Sequence, residues 1–446
     1  MTGMMIANAA ADPSGNPAGP PYPRSGYAWM VVAFLLLAYT VALLDRQILS
    51  LMVQPIRADL GISDTEISLL AGFAFILFYS TMGLVLGRVA DRHNRRNMII
   101  AGMVLWCLAT AACGLSSSYG ELFVARMMVG FGEATLGPAA YSMIADYFPP
   151  RRRAQATGVY TMGVFMGTGA ALLFGGAAVA ATSTAATFDV PLFGTLRAWQ
   201  AAFLLVGLPG LVVAAMMLAV REPIRRDVAR TDARLGDAIR FVRENAGILL
   251  LILGGFGMNG LINYGVTTWV PTLFIRRFGW SASEIGTAYG LILLTVGSAG
   301  VLAGGCWVSQ PSRARPGLVL TVARNMLIAA IPLIVLAGLA PTPWMSLAAV
   351  AGLAFVIGIP SGLGPVALYE VTPNQYRGQV IAFYLLTVTL LGMGIGVTLI
   401  AAANDYLFRS DLAIGKSLTL VLSISALMGV VLLHAAARFR KSPAID

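Results

Sequence analysis

Apolar runs of about twenty residues, each closed by a short polar or basic break, recur from residue 28 to residue 438. A helix needs about 20 such residues to cross a ~30 Å hydrocarbon core. The pattern predicts spans near 28–54, 66–87, 97–116, 120–145, 154–180, 199–220, 247–275, 282–308, 317–339, 343–369, 377–402 and 416–438. The fold class is therefore an all-α membrane protein with twelve transmembrane helices. Residues 221–246 are the longest charged stretch and divide the spans into two groups of six. The expected organisation is a disordered tail at 1–27, a six-helix bundle at 28–220, a linker at 221–246, a second bundle at 247–438 and a tail at 439–446. Met1–Pro23 has no basic stretch followed by an apolar core, so it reads as a tail rich in Ala, Pro and Gly rather than as a signal peptide. Within the linker, Leu235 to Val242 has the spacing of an amphipathic helix able to lie on a membrane surface.

Composition supports a lipid setting. Of 446 residues, 58% are hydrophobic and 11% charged, and the mean hydropathy is +0.78. Soluble domains carry about 45–50% apolar and about 25% charged residues. The net charge of +10 follows topology rather than nucleic acid, which is not an expected partner. Six of the 30 basic residues, Arg57, Arg197, Arg276, Arg277, Arg409 and Lys416, fall on one side, and Arg46 and Arg126 lie inside spans. The remainder cluster in the tails, the even-numbered loops and the adjoining span ends, which puts both termini in the cytoplasm by the positive-inside rule. Cys107, Cys113 and Cys306 lie within spans without metal-ligand spacing and read as small packing residues, so no metal or other cofactor is expected.

The two groups of six share punctuation. Asp146-x-x-Pro149-x-x-x-Arg153 recurs 224 residues later as Glu370-x-x-Pro373-x-x-x-Arg377. Ser63-x-x-Glu66-Ile67 recurs 218 residues later as Ser281-x-x-Glu284-Ile285, and both are capping boxes expected to open spans 2 and 8. A duplicated six-helix unit explains both, and duplicated halves with a site between them are common among secondary transporters.

Four charges sit deep in apolar runs: Asp45, Arg46, Arg126 and Glu133. A charge at mid-bilayer costs roughly 2.5–3.5 kcal/mol on insertion scales, so it pairs or lines water. At ~1.5 Å rise per residue, Asp45 stands ~25 Å above the start of span 1 and Arg126 ~9 Å below the outer end of span 4. That depth allows an Asp45–Arg126 ion pair. Glu133, two turns past Arg126 on the same face, points into the same cavity roughly 10 Å deeper. Arg46 follows Asp45 directly, so it is expected to point elsewhere and take a supporting role. The two histidines, His93 and His434, fall at the cytoplasmic boundary, which leaves proton coupling within the membrane to carboxylates. Burial disfavours a charged carboxylate and a nearby guanidinium favours it. Movement of Arg126 among Asp45, Glu133 and a substrate anion would then change which acid holds a proton. The expected driving force is a proton gradient.

Gly87-Arg88-Val89-Ala90-Asp91-Arg92-His93-Asn94-Arg95-Arg96 resembles the signature loop between helices 2 and 3 of the major facilitator superfamily, with Asn94 where that family usually has Gly. The resemblance implies that Asp91 docks near Arg377-Gly378 at the start of helix 11 and that Arg92 reaches Asp146 at the end of helix 4. The implied cytoplasmic gate comprises Gly87, Asp91, Arg92, Arg95, Arg96, Asp146, Arg153, Glu370 and Arg377. In the second half Ser309 stands where the acid would be, which implies a weaker latch there.

Tyr39 to Gln47, Pro55-Ile-Arg-Ala-Asp-Leu-Gly61, Arg126-x-x-x-Gly130-x-Gly132-Glu133 and Ala145-Asp-Tyr-Phe-Pro-Pro150 narrow the resemblance to the spinster branch. This implies proton-driven movement of lysolipids or sphingoid lipid phosphates, with Asp45, Arg126 and Glu133 in the branch's charged positions. Trp199-Gln200 stands where relatives often have Trp-Arg, which argues against a charge holding the outer end of span 6.

In the second half no charge lies deep, and Arg324 is near enough to the end of its span to snorkel. The candidate cavity residues are Tyr39, Asn259, Asn263, Tyr264, Ser361 and Tyr384. A charged wall facing a mostly apolar one suits an amphiphile. The expectation is a monomeric, proton-coupled transporter of an amphiphilic or lipid-like substrate in the inner membrane. A multidrug or organic-anion antiporter of the same fold, or a non-transporting sensor, stays open. No His-Glu-x-x-His or Gly-x-Ser-x-Gly motif is present, and no enzyme is expected.

Overall fold

The structure, a computed structural model, describes residues 22–185, 187–190, 194–225, 235–308, 317–373 and 376–439. Twelve long helices run antiparallel in sequence: α1 (Ser25–Leu51), α2 (64–92), α3 (Arg95–Cys113), α4 (119–147), α5 (Pro150–Thr182), α6 (Ala198–Met217), α7 (Ala246–Phe278), α8 (282–308), α9 (Leu318–Leu339), α10 (Pro343–Tyr369), α11 (377–408) and α12 (Ile414–Phe439). Among the described residues, 11 are long and apolar enough to cross a membrane. The twelfth, α4, is split into Tyr119–Glu133 and Leu136–Tyr147. The break has a local cause. Pro138 offers no N–H, and its ring opposes the carbonyl four residues back, at Ala134. Thr135 Oγ1 instead donates to Gly132 O at 2.8 Å.

Both capping boxes form as the spacing predicted. Glu66 N donates to Ser63 Oγ at 3.1 Å, and Ser63 N donates to Glu66 Oε2 at 2.8 Å. The Ser281–Glu284 pair repeats this at 3.2 and 2.7 Å. Pro150 takes the first turn of α5, where a missing N–H does no harm. A second duplication was not legible in the sequence. α2 carries a π-helical turn at Leu69–Phe73 and α8 one at Leu293–Gly297, 224 residues apart.

Two features were not predicted. A short helix, Val53–Leu60, follows α1, and an antiparallel hairpin, β1 (Thr187–Val190) with β2 (Gly194–Arg197), joins α5 to α6. The hairpin defines one face of the molecule. The opposite, terminal face gathers the starts of α1, α7 and α11 with the ends of α6 and α12. There Arg221 N donates to Tyr27 Oη at 2.8 Å, and Gly247 packs on Phe439. The linker helix Leu235–Glu244 forms as expected, and its Phe241 stacks on Tyr376 at 5.0 Å.

The two groups of six meet closely toward the hairpin face. Gly169 of α5 faces the backbone of Gly290 on α8, and Gly72 of α2 lies against the carbonyl of Met393 on α11. A Cβ at either glycine would displace the opposite backbone, so these crossings depend on the missing side chain.

Candidate functional site

The four deep charges converge where α1, α2, α3 and α4 meet, with pairings that differ from expectation. Arg46, not Arg126, binds Glu133: its Nε donates to Glu133 Oε2 at 2.6 Å, and Nη2 lies 2.5 Å from the same oxygen. Their side chains are 9% and 1% exposed, which makes this a buried pair rather than a surface one. Arg126 binds carbonyls. Its Nη1 donates to the backbone oxygen of Asp45 at 3.1 Å and its Nε to that of Leu70 at 3.4 Å. Leu70 lies in the π-turn of α2, where the regular hydrogen-bond ladder is interrupted.

Side-chain direction explains the exchange. A helical Cβ leans toward the helix N-terminus. α1 and α4 run oppositely, so Arg46 leans toward the terminal face and Arg126 toward the hairpin face. The long Arg46 side chain therefore reaches the deeper Glu133. The Asp45 side chain is too short to follow and turns toward α3, where Thr110 and Cys107 stand beside it. The expected Asp45–Arg126 ion pair does not form, and Arg46 moves from a supporting position to a direct contact.

Among the described residues, both Asp45 carboxyl oxygens are buried without a hydrogen-bond partner, as are Arg126 Nη2, Glu133 Oε1 and Thr110 Oγ1. Asp45 is 0% exposed. Sequence reasoning missed the aromatic part of the site. The Arg46 guanidinium lies 4.4 Å from the Phe75 ring centroid and 4.8 Å from that of Tyr79, and Arg126 approaches the Phe75 ring at 6.0 Å. Phe75 and Tyr79 sit four residues apart on α2, and that spacing was the available signal.

Of the candidate cavity residues, Tyr39 stacks on Tyr160 of α5 at 5.4 Å and lies with Tyr79 and Tyr264 around Arg46. Asn259 binds Ser361 across α7 and α10 at 3.0 Å, and Tyr384 of α11 packs edge-on to Phe256 beside them. Asn263 instead accepts from Thr267 within α7, through its backbone oxygen at 2.8 Å.

At the terminal face, Arg95 rather than Arg92 meets Asp146. Arg95 Nη1 donates to Asp146 Oδ2 at 2.5 Å and to Ser142 Oγ at 2.8 Å, while Nε reaches Glu222 at 2.7 Å. Arg95 is 1% exposed at the start of α3, whereas Arg92 at the end of α2 is exposed. Arg96 donates to Glu222 through its N–H and to Val220 O through Nη1, so the two arginines staple the linker's start to the loop after α2. Gly87 lies on α2, Arg153 donates to Phe148 O at 3.0 Å, and Glu370 follows α10. The side chains of Asp91 and Arg377, and all of Ser309, lie outside the described residues, and so does the expected Asp91–Arg377 contact.

The hairpin face holds a clamp absent from the sequence reading. Asp64, 0% exposed, accepts from both Nη atoms of Arg276 on α7 at 2.5 and 2.6 Å. It also receives Asn404 Nδ2 of α11 at 3.0 Å and lies 3.2 Å from Arg57 Nε. Beside it, the N–H and hydroxyl of Thr65 both donate to Asp405 at 2.7 Å. These contacts join the first six helices to the second and close this face. Their signal was present: Arg57 and Arg276 stand apart from the other basic residues and need acids, and Asp64 follows the cap of α2. The start of α6, on the hairpin face, is held by charge after all, since Arg197 pairs with Asp59 and Trp199 Nε1 donates to that acid at 2.9 Å. Gln200 donates instead to Ser116 O at 2.9 Å.

The sequence profile of the Major Facilitator Superfamily matches residues 35–397. An MFS-type efflux pump of Mycolicibacterium smegmatis is 28% identical over 93% of this chain and 94% of its own length. A hexuronate transporter of Bacillus subtilis is 24% identical over 90% and 95%. The crystal structure of a bacterial homolog to human lysosomal transporter, spinster, in an inward-facing and unoccupied conformation superposes with a TM-score of 0.77 at 26% identity, covering 94% of this chain and 97% of that one. Its inward-facing and occupied form gives 0.75 with the same identity and coverage.

Proposed function

We propose, from the premise that this chain belongs to the major facilitator superfamily, that it is a proton-coupled secondary transporter of an amphiphilic substrate. It is a multi-pass membrane transporter similar to the spinster branch. The proton coupling, the substrate and the orientation are our reading.

One observation carries it: Asp45 is fully buried and, among the described residues, no cation or backbone N–H binds its carboxyl, with the Thr110 hydroxyl standing beside it. An isolated ionised carboxylate out of water is strongly disfavoured and survives there as the neutral acid. Asp45 therefore holds a proton while the hairpin face is clamped shut. Glu133 differs, because Arg46 supports its charged form. The two acids thus occupy unequal sites a short way apart, and a substrate anion that draws Arg46 from Glu133 shifts the balance between them. Reopening of the hairpin face gives water to Asp45 and lets its proton leave. The basic bias puts the terminal face in the cytoplasm, so the hairpin face is the outer one. The exchange couples proton passage to alternating access with no cofactor.

An amphiphile fits because Arg46 stands among tyrosines on the first-half wall while the second-half wall is mostly apolar. The relative named as an efflux pump favours a second reading, export of amphiphilic drugs by the same machinery. The test is flux in proteoliposomes holding the purified chain, with lysolipids, sphingoid phosphates and cationic dyes screened under an imposed pH gradient. Gradient-driven movement of an anionic single-chain lipid supports the first reading, and movement of dyes alone supports the second. Movement of every substrate at equal rates with and without the gradient contradicts both.

A further inference from the structure

The second-half wall holds one polar group that its own surroundings leave unused. Asn259 of α7 is 3% exposed. Its Nδ2 donates to Ser361 Oγ at 3.0 Å and approaches Ile357 O at 3.4 Å. Ser361 Oγ spends its proton on the same Ile357 carbonyl at 2.8 Å. Both groups facing the amide from α10 are therefore acceptors, which fixes the NH₂ toward them. The amide oxygen must point the other way, and no donor reaches it. Buried amide oxygens are almost always satisfied, so this one calls for a reason.

The surroundings supply one. Ser361 is only half-buried, so the nook opens beside it. Tyr384 of α11 closes a second side, packing on Phe256 and against Gly364 of α10. Tyr384 in turn neighbours Tyr264 of α7, which neighbours Tyr79 and Arg46 of the first half. The unpaired carbonyl therefore lies beside the half-buried Ser361 hydroxyl and near the Tyr384–Phe256 pair.

We propose that Asn259 is a specificity-determining residue, accepting a hydrogen bond through Oδ1 from a hydroxyl or ammonium group on the head of an anionic single-chain amphiphile. This deepens the amphiphile reading above and rests on it. A head group without such a donor leaves the carbonyl unpaired, while one that carries it satisfies the buried acceptor.

The test uses a matched pair of probes, oleoyl glycerophosphate with its free hydroxyl and the deoxy counterpart lacking it. Binding to the full chain in detergent is measured for the wild type, Asn259→Leu and Ser361→Ala, with Asn259→Ala as a second acceptor-free variant should the leucine fail to fold. The wild type should prefer the hydroxylated probe about tenfold, the discrimination of one neutral hydrogen bond to a buried acceptor. Asn259→Leu should lose that preference and bind the two probes equally, and Ser361→Ala should keep it. Equal binding of both probes by the wild type, or a preference that survives in Asn259→Leu, overturns the assignment and leaves the amphiphile reading standing. If neither probe binds the wild type, the amphiphile reading fails and takes this assignment with it.

Discussion

Replacing Asp64 with alanine should open the hairpin face. The carboxylate is fully buried and takes a two-pronged contact from Arg276, whose side chain is itself only 4% exposed. Removing one partner of a buried pair costs about 3–5 kcal/mol, because the other charge is left without compensation. That penalty falls on the closed state alone, since opening returns Arg276 and Arg57 to water. The closed-to-open ratio should then fall by about a hundredfold to several thousandfold. The neighbouring Arg57–Asp411 pair cannot substitute, because Asp411 is 58% exposed and such surface pairs contribute about 0–1 kcal/mol. Spin labels at Gly120→Cys and Pro341→Cys, both exposed at the outer ends of different halves, report the separation by pulsed electron resonance. The exposed Cys306 is first changed to Ser. The wild type should give mainly the short distance and Asp64→Ala mainly a longer one. Identical distributions in the two proteins would refute the argument that the clamp holds this face shut.

Two other outcomes follow from the packing and from the terminal-face network. Gly72→Leu places a side chain against the Met393 carbonyl, so the same labels should report the longer distance and gradient-driven flux should stop; a short distance with normal flux contradicts the close-crossing account. Arg95→Gln removes the cation that Asp146 and Glu222 share, which should lower the melting temperature in detergent, whereas Arg92→Gln at an exposed site should change stability by about 0.5 kcal/mol or less. Equal melting of the two variants contradicts the partner exchange at Asp146.

Much of the architecture was legible because lipid imposes it. The twelve helices follow from the length of apolar runs, and the capping boxes at Ser63 and Ser281 set two helix starts to within two residues. The four deep charges could be located for the same reason, since nothing else in those runs needed explanation. Their pairing was less accessible. Helix phase says which residues share a face, but the partner of Glu133 was decided by the opposite lean of side chains on antiparallel α1 and α4 and by the reach of Arg46. The carbonyl partner of Arg126 depended on a π-turn at Leu69–Phe73 that no residue pattern announced. The break in α4 did have a signal in Pro138, overlooked because the apolar run continues through it. The clamp on the hairpin face was missed because an acid at a helix start needs no special reason, and two of the partners of Asp64, Arg276 and Asn404, lie more than two hundred residues away.

The proposed mechanism has Asp45 and Glu133 hand on a proton as the substrate crosses. The direct measurement is the internal pH of proteoliposomes when an anionic amphiphile is added outside, for the wild type, Asp45→Asn and Glu133→Gln. The wild type should show a substrate-evoked pH change, and both variants should be silent in pH while still exchanging labelled for unlabelled substrate. A full pH change in both variants would contradict the claim.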